Sequence, residues 1–328
     1  MRLFVTGANG FVGRVVVAAA ASRGHQVLAL VRHASAAAAE RGPLGHPGVE
    51  VVRGDLRHYD GWEQRLAGCD AVVHLAASFG DFDEQWVTNV VATERLLGHL
   101  VAHGPRRLVH VSTFSVYDYE ALASGATLDE DAPLEAEPRR RDAYAQTKLE
   151  QERLVRDAAG ALAVTIVRPG AVYGPGNLWD SGRALQFGSR GGVVIGPRAP
   201  LKLVYVEHCA EAIVLAAATE RAVGAVINLV DDNPPTPREY AAALRRAGAV
   251  VAPAVPVPFA VALGVARTAA WVDRRFVGGR GKYPELLVPR RLAARYKRLS
   301  YANQRAKDLL GWTPRYTLDE ALARSIRR

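Results

Sequence analysis

Cysteine is nearly absent from the chain: Cys69 and Cys209 stand far apart, with no CxxC spacing. That excludes a disulfide framework and fits a reducing, cytoplasmic compartment. No signal-peptide pattern precedes the strand-like run at residues 1–6. The most apolar later stretch, 259–266, ends at Arg267 and is too short to span a bilayer. The nine histidines make no HExxH and no close His/Cys cluster, so no metal is expected. Low-complexity and disorder-like composition are also missing: hydrophobic residues make up 49% and charged residues 23% of 328. Charge is uneven. Residues 273–298 hold nine Lys or Arg against two carboxylates, a net +7 of the chain's +9. Such a run can attract nucleic acid, anionic lipid or an anionic substrate, or can simply be a solvated face. It contains no nucleic-acid-binding motif and no clear amphipathic period, so neither nucleic acid nor membrane is expected as a partner.

What is present is alternation. Short apolar runs at 3–6, 27–31, 49–52, 71–76, 107–112 and 164–167 are separated by helical patterns, among them 11–23, 84–103 and 143–157. Strands without polar alternation, divided by helices, predict a parallel sheet covered on both faces. Right-handed crossovers then give an α/β, doubly wound fold. Runs at 204–206 and 225–229 look like strands returning to that sheet. Prolines at 234, 235, 237, 253, 256 and 258 punctuate a less regular region. The expected organisation is a dinucleotide-binding core over 1–169, to which 204–230 and about 311–328 return. A smaller, mostly C-terminal substrate-binding lobe would be built from 170–203 and 231–310.

The first strand runs into Thr6-Gly7-Ala8-Asn9-Gly10-Phe11-Val12-Gly13 and then a helix. Gly7 permits the tight turn, Gly10 lets the backbone approach a pyrophosphate, and Gly13 allows helix to pack on strand. The helix N-terminus offers free N–H groups to the phosphates. At the end of the second strand, where a carboxylate would bond the ribose 2′-OH of NAD, the sequence has Val31-Arg32-His33. A guanidinium matches a 2′-phosphate by charge and shape, so NADP(H) is favoured over NAD(H). Asp55, followed by Leu56, is a candidate acceptor for the adenine amino group, or a turn-forming Asp.

Tyr144 and Lys148 are spaced i, i+4, on one helix face. An ammonium near a phenol favours the phenolate and lowers its pKa, which suits proton exchange with a carbonyl or alcohol oxygen. Ser112 and Thr113 end the fifth strand, in the crevice where such sheets bind ligands.

These residues resemble the extended short-chain dehydrogenase/reductase family, over nearly the whole chain. The resemblance rests on the order of TGANGFVG at 6–13, GDL at 54–56, HLAA at 74–77, NVVAT at 89–93, VSTFSVY at 111–117 and YAQTK at 144–148. It continues with RPGAVYGPGN at 168–177, VYVEHCAEAI at 204–213 and LGWTPRYTLDEALARSI at 310–326. It implies a Rossmann-type enzyme in which Tyr144 is general acid/base, Lys148 lowers its pKa and holds the nicotinamide ribose, and Thr113 hydrogen-bonds the reacting oxygen. It also implies a cofactor site that includes Leu75, Ala76 and Ala77, with Pro169, Gly170 and Val172 beside the nicotinamide. Nucleotide-sugar members carry an Arg-Asp-Phe where this chain has Leu201-Lys202-Leu203. The run at 255–264, with Pro289-Arg290-Arg291, is similar to the branch of steroid dehydrogenases and ketone reductases. An apolar helix over the site would suit a hydrophobic substrate, and plain core packing explains it equally. The expectation is reduction of a ketone, or oxidation of its alcohol, on a small hydrophobic molecule. The alternatives are a nucleotide-sugar epimerase or dehydratase and a non-catalytic dinucleotide sensor, the latter opposed by the intact Thr–Tyr–Lys set. Related enzymes pair through the helices carrying Asn89 and Tyr144, so a homodimer is the default expectation.

Overall fold

The computed structural model describes residues 1–32, 42–178, 185–186, 191–249, 251, 253–277 and 288–326. His33 lies outside them. Five apolar runs build the centre: β1 (Arg2–Thr6), β2 (Gln26–Val31), β3 (Val49–Arg53), β4 (Ala71–His74) and β5 (Arg107–Val111). After the short β6 (Thr127–Leu128) come β7 (Ala163–Pro169), β8 (Ala171–Tyr173), β9 (Leu185–Gln186), β10 (Gly192–Ile195), β11 (Leu203–Tyr205) and β12 (Val226–Leu229). The main sheet has seven parallel strands in the order β12-β7-β5-β4-β1-β2-β3. The doubly wound α/β class is therefore present. The order reverses between β1 and β4, and the crevice at the strands' carboxyl ends opens there.

Burial on both faces explains the continuous apolar strands. Leu3 and Val5 pack with Val16, Val17 and Ala20 of α1 (Phe11–Ser22), whereas Phe4 between them packs with Leu96, Leu97 and Leu100 on the other face. Those leucines belong to α2, where Phe82–Gln85 passes through a π-helical stretch, Trp86–Val91, into Ala92–His103. Beside it lies α3 (Ala143–Asp157), and α4 (Val206–Ala218) accompanies α1.

One expected strand goes elsewhere. Residues 203–205 pair with β8 in a separate two-stranded sheet, and Val206 already opens α4. Only β12, of the two returning runs, joins the main sheet. Outside it, β13 (Ala254–Val257) pairs with β10, which pairs with β9. α5 (Pro237–Arg246) packs with β8 and β11, whereas α6 (Phe259–Val272) and α7 (Pro289–Tyr296) pack with β10. After β14 (Ser300–Tyr301) come α8 (Gln304–Leu310) and α9 (Leu318–Ile326). A capping box opens α5: the Thr236 side chain accepts from Glu239 N–H while Glu239 accepts from Thr236 N–H.

The C-terminal segment is fixed by a buried imidazole. His208 Nε2 accepts the N–H groups of Arg315 and Tyr316, both at 3.1 Å, so Nδ1 carries the proton and donates it to Asp231 at 2.8 Å.

Two glycines define opposite tests of packing. A Cβ on Gly13 would lie 2.1 Å from Gly7 O, whereas one on the exposed, helical Gly98 meets nothing within 4 Å. Urea denaturation should show Gly13→Ala destabilised by about 1–3 kcal/mol. Gly98→Ala should be stabilised by about 0.5–1 kcal/mol.

Candidate active site

The β1–α1 turn is shaped by contact. Gly7 has φ +68°, and a Cβ there would come within 2.8 Å of Ala76 N. Gly10 N–H donates to Gly7 O at 2.9 Å. Gly10 is also the N-cap of α1 and supplies no side-chain cap, so the first turn's N–H groups face outward with the positive end of the helix dipole. This is a backbone cradle for an anion, and any side chain at Gly7 or Gly13 would collide with backbone.

The cradle opens into a cavity of about 1160 Å³. Its walls include Gly7, Asn9, Gly10, Phe11, Val12 and Gly13 from the turn, and Arg32, Asp55 and Leu56 from the ends of β2 and β3. Leu75, Ala76 and Ala77 follow β4. Ser112, Thr113, Tyr144, Lys148, Pro169, Gly170 and Val172 complete the predicted set. Of the predicted residues described, only Thr6 is not part of the wall. Its buried hydroxyl bonds His74 Nδ1 at 2.7 Å and accepts from Ala76 N–H at 3.2 Å, tying the end of β1 to the end of β4 beneath the site.

Arg32 is exposed at the cavity edge. The Asp55 carboxylate is already engaged, accepting from Arg57 N–H at 3.0 Å and from its guanidinium at 2.6–3.1 Å. That guanidinium holds the Asp55 carboxyl below its ordinary value. A second cation, not foreseen from the sequence, therefore stands near the end of β3.

At the other end, Asp142 caps α3 by accepting from Ala145 N–H at 3.0 Å, which sets the register of Tyr144 and Lys148. The two do not act on each other as their spacing suggests. Burial pushes the Tyr144 phenol up to about 12, and it is the Thr113 hydroxyl, bonded to it, that pulls the other way. Lys148 is 2% exposed; its ammonium donates to Val111 O at 2.9 Å and to the Gln151 side chain. Burial pushes Lys148 down to about 7, and the charge of Glu152 opposes that. The expected lowering of the tyrosine by the lysine is thus replaced by a neutral phenol, because the ammonium is turned to a backbone carbonyl and an amide.

Several residues around this pair escaped sequence reasoning. Glu152, one turn beyond Lys148, is 1% exposed and forms a buried ion pair with Arg168, while Ser112 Oγ donates to it at 2.6 Å. The repeated i+4 spacing 144–148–152 is the signal in the sequence that could have found it. Gln151 links Lys148 to Thr93 at 2.8 Å. Asn89, in the π-helical stretch, donates to Thr147 Oγ1 at 3.0 Å and accepts from Ser78 N–H at 2.7 Å. Phe79, 74% exposed, stacks on the Tyr144 ring with centroids 4.7 Å apart. Lys202 also lines the cavity, with its ammonium over the Tyr119 ring. The apolar run at 259–266 is not over the site: α6 packs beside it, and of its residues only Ala266 is fully buried. Among the described residues there is no His, Cys, Asp and Glu group able to hold a metal, and no helix long and apolar enough to cross a membrane.

A glycine cradle at a sheet crevice, followed by Thr, Tyr and Lys in one cavity, defines a dinucleotide-dependent enzyme acting on CH–OH or C=O groups. Residues 3–229 match the model of the NAD dependent epimerase/dehydratase family, and the chain belongs to that family. A 4-hydroxy-2-methyl-3-oxo-4-farnesyl-3,4-dihydroquinoline-1-oxide ketoreductase of Stigmatella aurantiaca is 30% identical over 98% of this chain and 95% of its own. A 2-alkyl-3-oxoalkanoate reductase of Stenotrophomonas maltophilia is 33% identical over 54% of this chain and 52% of its own. Among solved structures, UDP-glucuronic acid 4-epimerase from Bacillus cereus in complex with NAD shares the fold, with TM-score 0.74 and 20% identity over 100% of this chain and 96% of its own.

The Glu152–Arg168 pair makes a sharp stability prediction. Glu152→Gln leaves a buried guanidinium without its counter-charge and should cost about 3–5 kcal/mol in chemical denaturation at neutral pH. The Glu152 carboxyl is held below its ordinary 4.5, so its contribution is full above that value. The difference between wild type and variant should shrink as pH falls through the lowered value.

Proposed function

We propose that the chain reduces a ketone on a hydrophobic small molecule with NADPH. The observation that carries this reading is the Tyr144 phenol, held neutral, bonded to Thr113 and stacked under the exposed Phe79 ring. A proton donor, a second hydroxyl for the same oxygen and an apolar surface then meet at one point. When bound, NADPH supplies the hydride to the carbonyl carbon. Tyr144 gives its proton to the carbonyl oxygen, and Thr113 hydrogen-bonds that oxygen as charge develops on it. Lys148 Nζ uses two of its three N–H groups on Val111 O and Gln151, which leaves the third for the nicotinamide ribose. Although it does not lower the resting phenol, its charge, while it is protonated, offsets the phenolate that forms only during the step. The alcohol leaves, and Tyr144 regains a proton from solvent.

Arg32, exposed at the cavity edge, supports NADPH, since a guanidinium matches a 2′-phosphate dianion. The activities named for the two reductases support a ketone on a molecule with long apolar parts. The elements outside the main sheet would form the substrate lobe. A cytoplasmic homodimer completes the reading, with the half-exposed Trp86 and Val87 of α2 as part of the pairing surface.

Fluorescence titration with NADPH and NADH tests the cofactor assignment. NADPH should bind more tightly, and Arg32→Ala should erase the preference by about ten- to a hundredfold, the worth of one charge-assisted contact. NAD retained through purification, with no NADPH preference, would point instead to a nucleotide-sugar epimerase.

Tyr144→Phe should leave NADPH affinity intact and lower ketone reduction by about a hundredfold or more. The pH profile of kcat/KM for reduction should fall as pH rises through about 7, where Lys148 loses its proton. Removing the negative charge of Glu152 should move that limb to lower pH, because the carboxylate is what holds the lysine up.

A further inference from the structure

α6 turns an apolar face to solvent. Val261 and Val265 are each 56% exposed and Val272 is 40% exposed, on one stripe along the helix. Trp271, 56% exposed in the last turn of α6, and Phe276, 69% exposed in its π-helical continuation (Asp273–Val277), meet edge to face with centroids 6.0 Å apart. Soluble surfaces seldom keep so many large apolar side chains contiguous without a partner.

Charge selects the partner. Arg267 and Arg274, two turns apart, border the stripe, and Arg275 lies over the Phe276 ring at 5.4 Å. All three are exposed, and none has a carboxylate partner among the described residues. The one acidic residue of this stretch, Asp273, is buried. A second copy of the chain docking here about a two-fold axis would bring these like charges together, with no exposed carboxylate among the described residues 259–277 to offset them. An anionic lipid surface accepts both parts: acyl chains for the valines, the headgroup boundary for Trp271 and Phe276, and phosphates for the arginines. Other arginines of the same basic run are used internally. Arg290 is held by Glu135 and Glu137 and lies within 4 Å of Asp118 and Glu120, so basic composition alone does not explain the exposed trio.

We propose that α6 and its π-helical continuation are a docking face for the surface of an anionic membrane. The helix lies in the headgroup plane and does not cross it. The inner face of α6 gives this a functional sense. Ala262, Leu263 and Ala266 pack against Leu292 and Tyr296, which line the active-site cavity. Docking therefore sets one wall of the cavity next to the bilayer, where a lipophilic ketone is concentrated. That last step rests on the function proposed above, whereas the docking does not.

The test uses the full chain and sedimentation with vesicles, one set of phosphatidylcholine alone and one mixed with phosphatidylglycerol at about three to one. The protein should sediment with the mixed vesicles, weakly with phosphatidylcholine, and less as salt rises. Each of Arg267→Gln, Arg274→Gln and Arg275→Gln should weaken binding about fivefold. Val261→Ser with Val265→Ser should weaken it further while NADPH affinity is unchanged, which also shows that the variant is folded. Absence of sedimentation with mixed vesicles overturns the proposal. Binding that ignores lipid charge or the arginine variants overturns it as well. If the wild type instead forms a dimer that Trp271→Ala dissociates and does not bind vesicles, the face belongs to a second copy. Loss of ketone reduction by Tyr144→Phe without change in vesicle binding keeps the two proposals separate.

Discussion

The site depends on one close approach, that of α1 to the end of β1. Gly13 lies against the carbonyl of Gly7, and Gly7 lies against the backbone of Ala76, so three backbone segments touch with no side chain between them. This contact aims the open end of α1 into the crevice between β1 and β4. Every other group in the cavity is positioned relative to that crevice. The Thr6 hydroxyl, bonded to both His74 and Ala76, locks the two strand ends under it.

On the catalytic side the governing constraint is desolvation. Lys148 lies in a polar network of a backbone carbonyl, Gln151, Thr93 and His74, backed by the Glu152–Arg168 pair. Burial works in opposite directions on the two groups: it keeps the phenol protonated and makes the ammonium easy to deprotonate. In the function proposed above, the protonated phenol is the proton donor.

Much of this was legible in the residues. The six central strands read clearly because burial on both faces leaves continuous apolar runs, and the glycine turn reads clearly because its contacts exclude side chains. The spacing of Tyr144 and Lys148 put them on one helix face, and their place after the half-sheet, with the family resemblance, marked them as a pair. The run at 203–205 was assigned to the wrong sheet, since three apolar residues do not say which edge they pair with, and β8 captured them. The environment of Tyr144 was not legible either. Phe79 reaches Tyr144, and Thr93 reaches Gln151 beside Lys148, through the fold rather than through any local pattern. The same is true of α6, whose composition suits a core helix, a roof over the site or an exposed face. Only its packing partners on one side separate these.

The imidazole of His208 has a bearing on how the molecule comes together. It bonds groups 107 and 108 residues further along the chain, and it does so with a single tautomer fixed by Asp231. Contacts that span such a distance carry a large loop-closure cost and form late in folding. During synthesis, His208 Nε2 can meet only water until Arg315 and Tyr316 have left the ribosome. The sheet can assemble before that moment, but this side of it cannot close, so a nascent chain stalled ahead of residue 315 presents an open seam to chaperones and proteases.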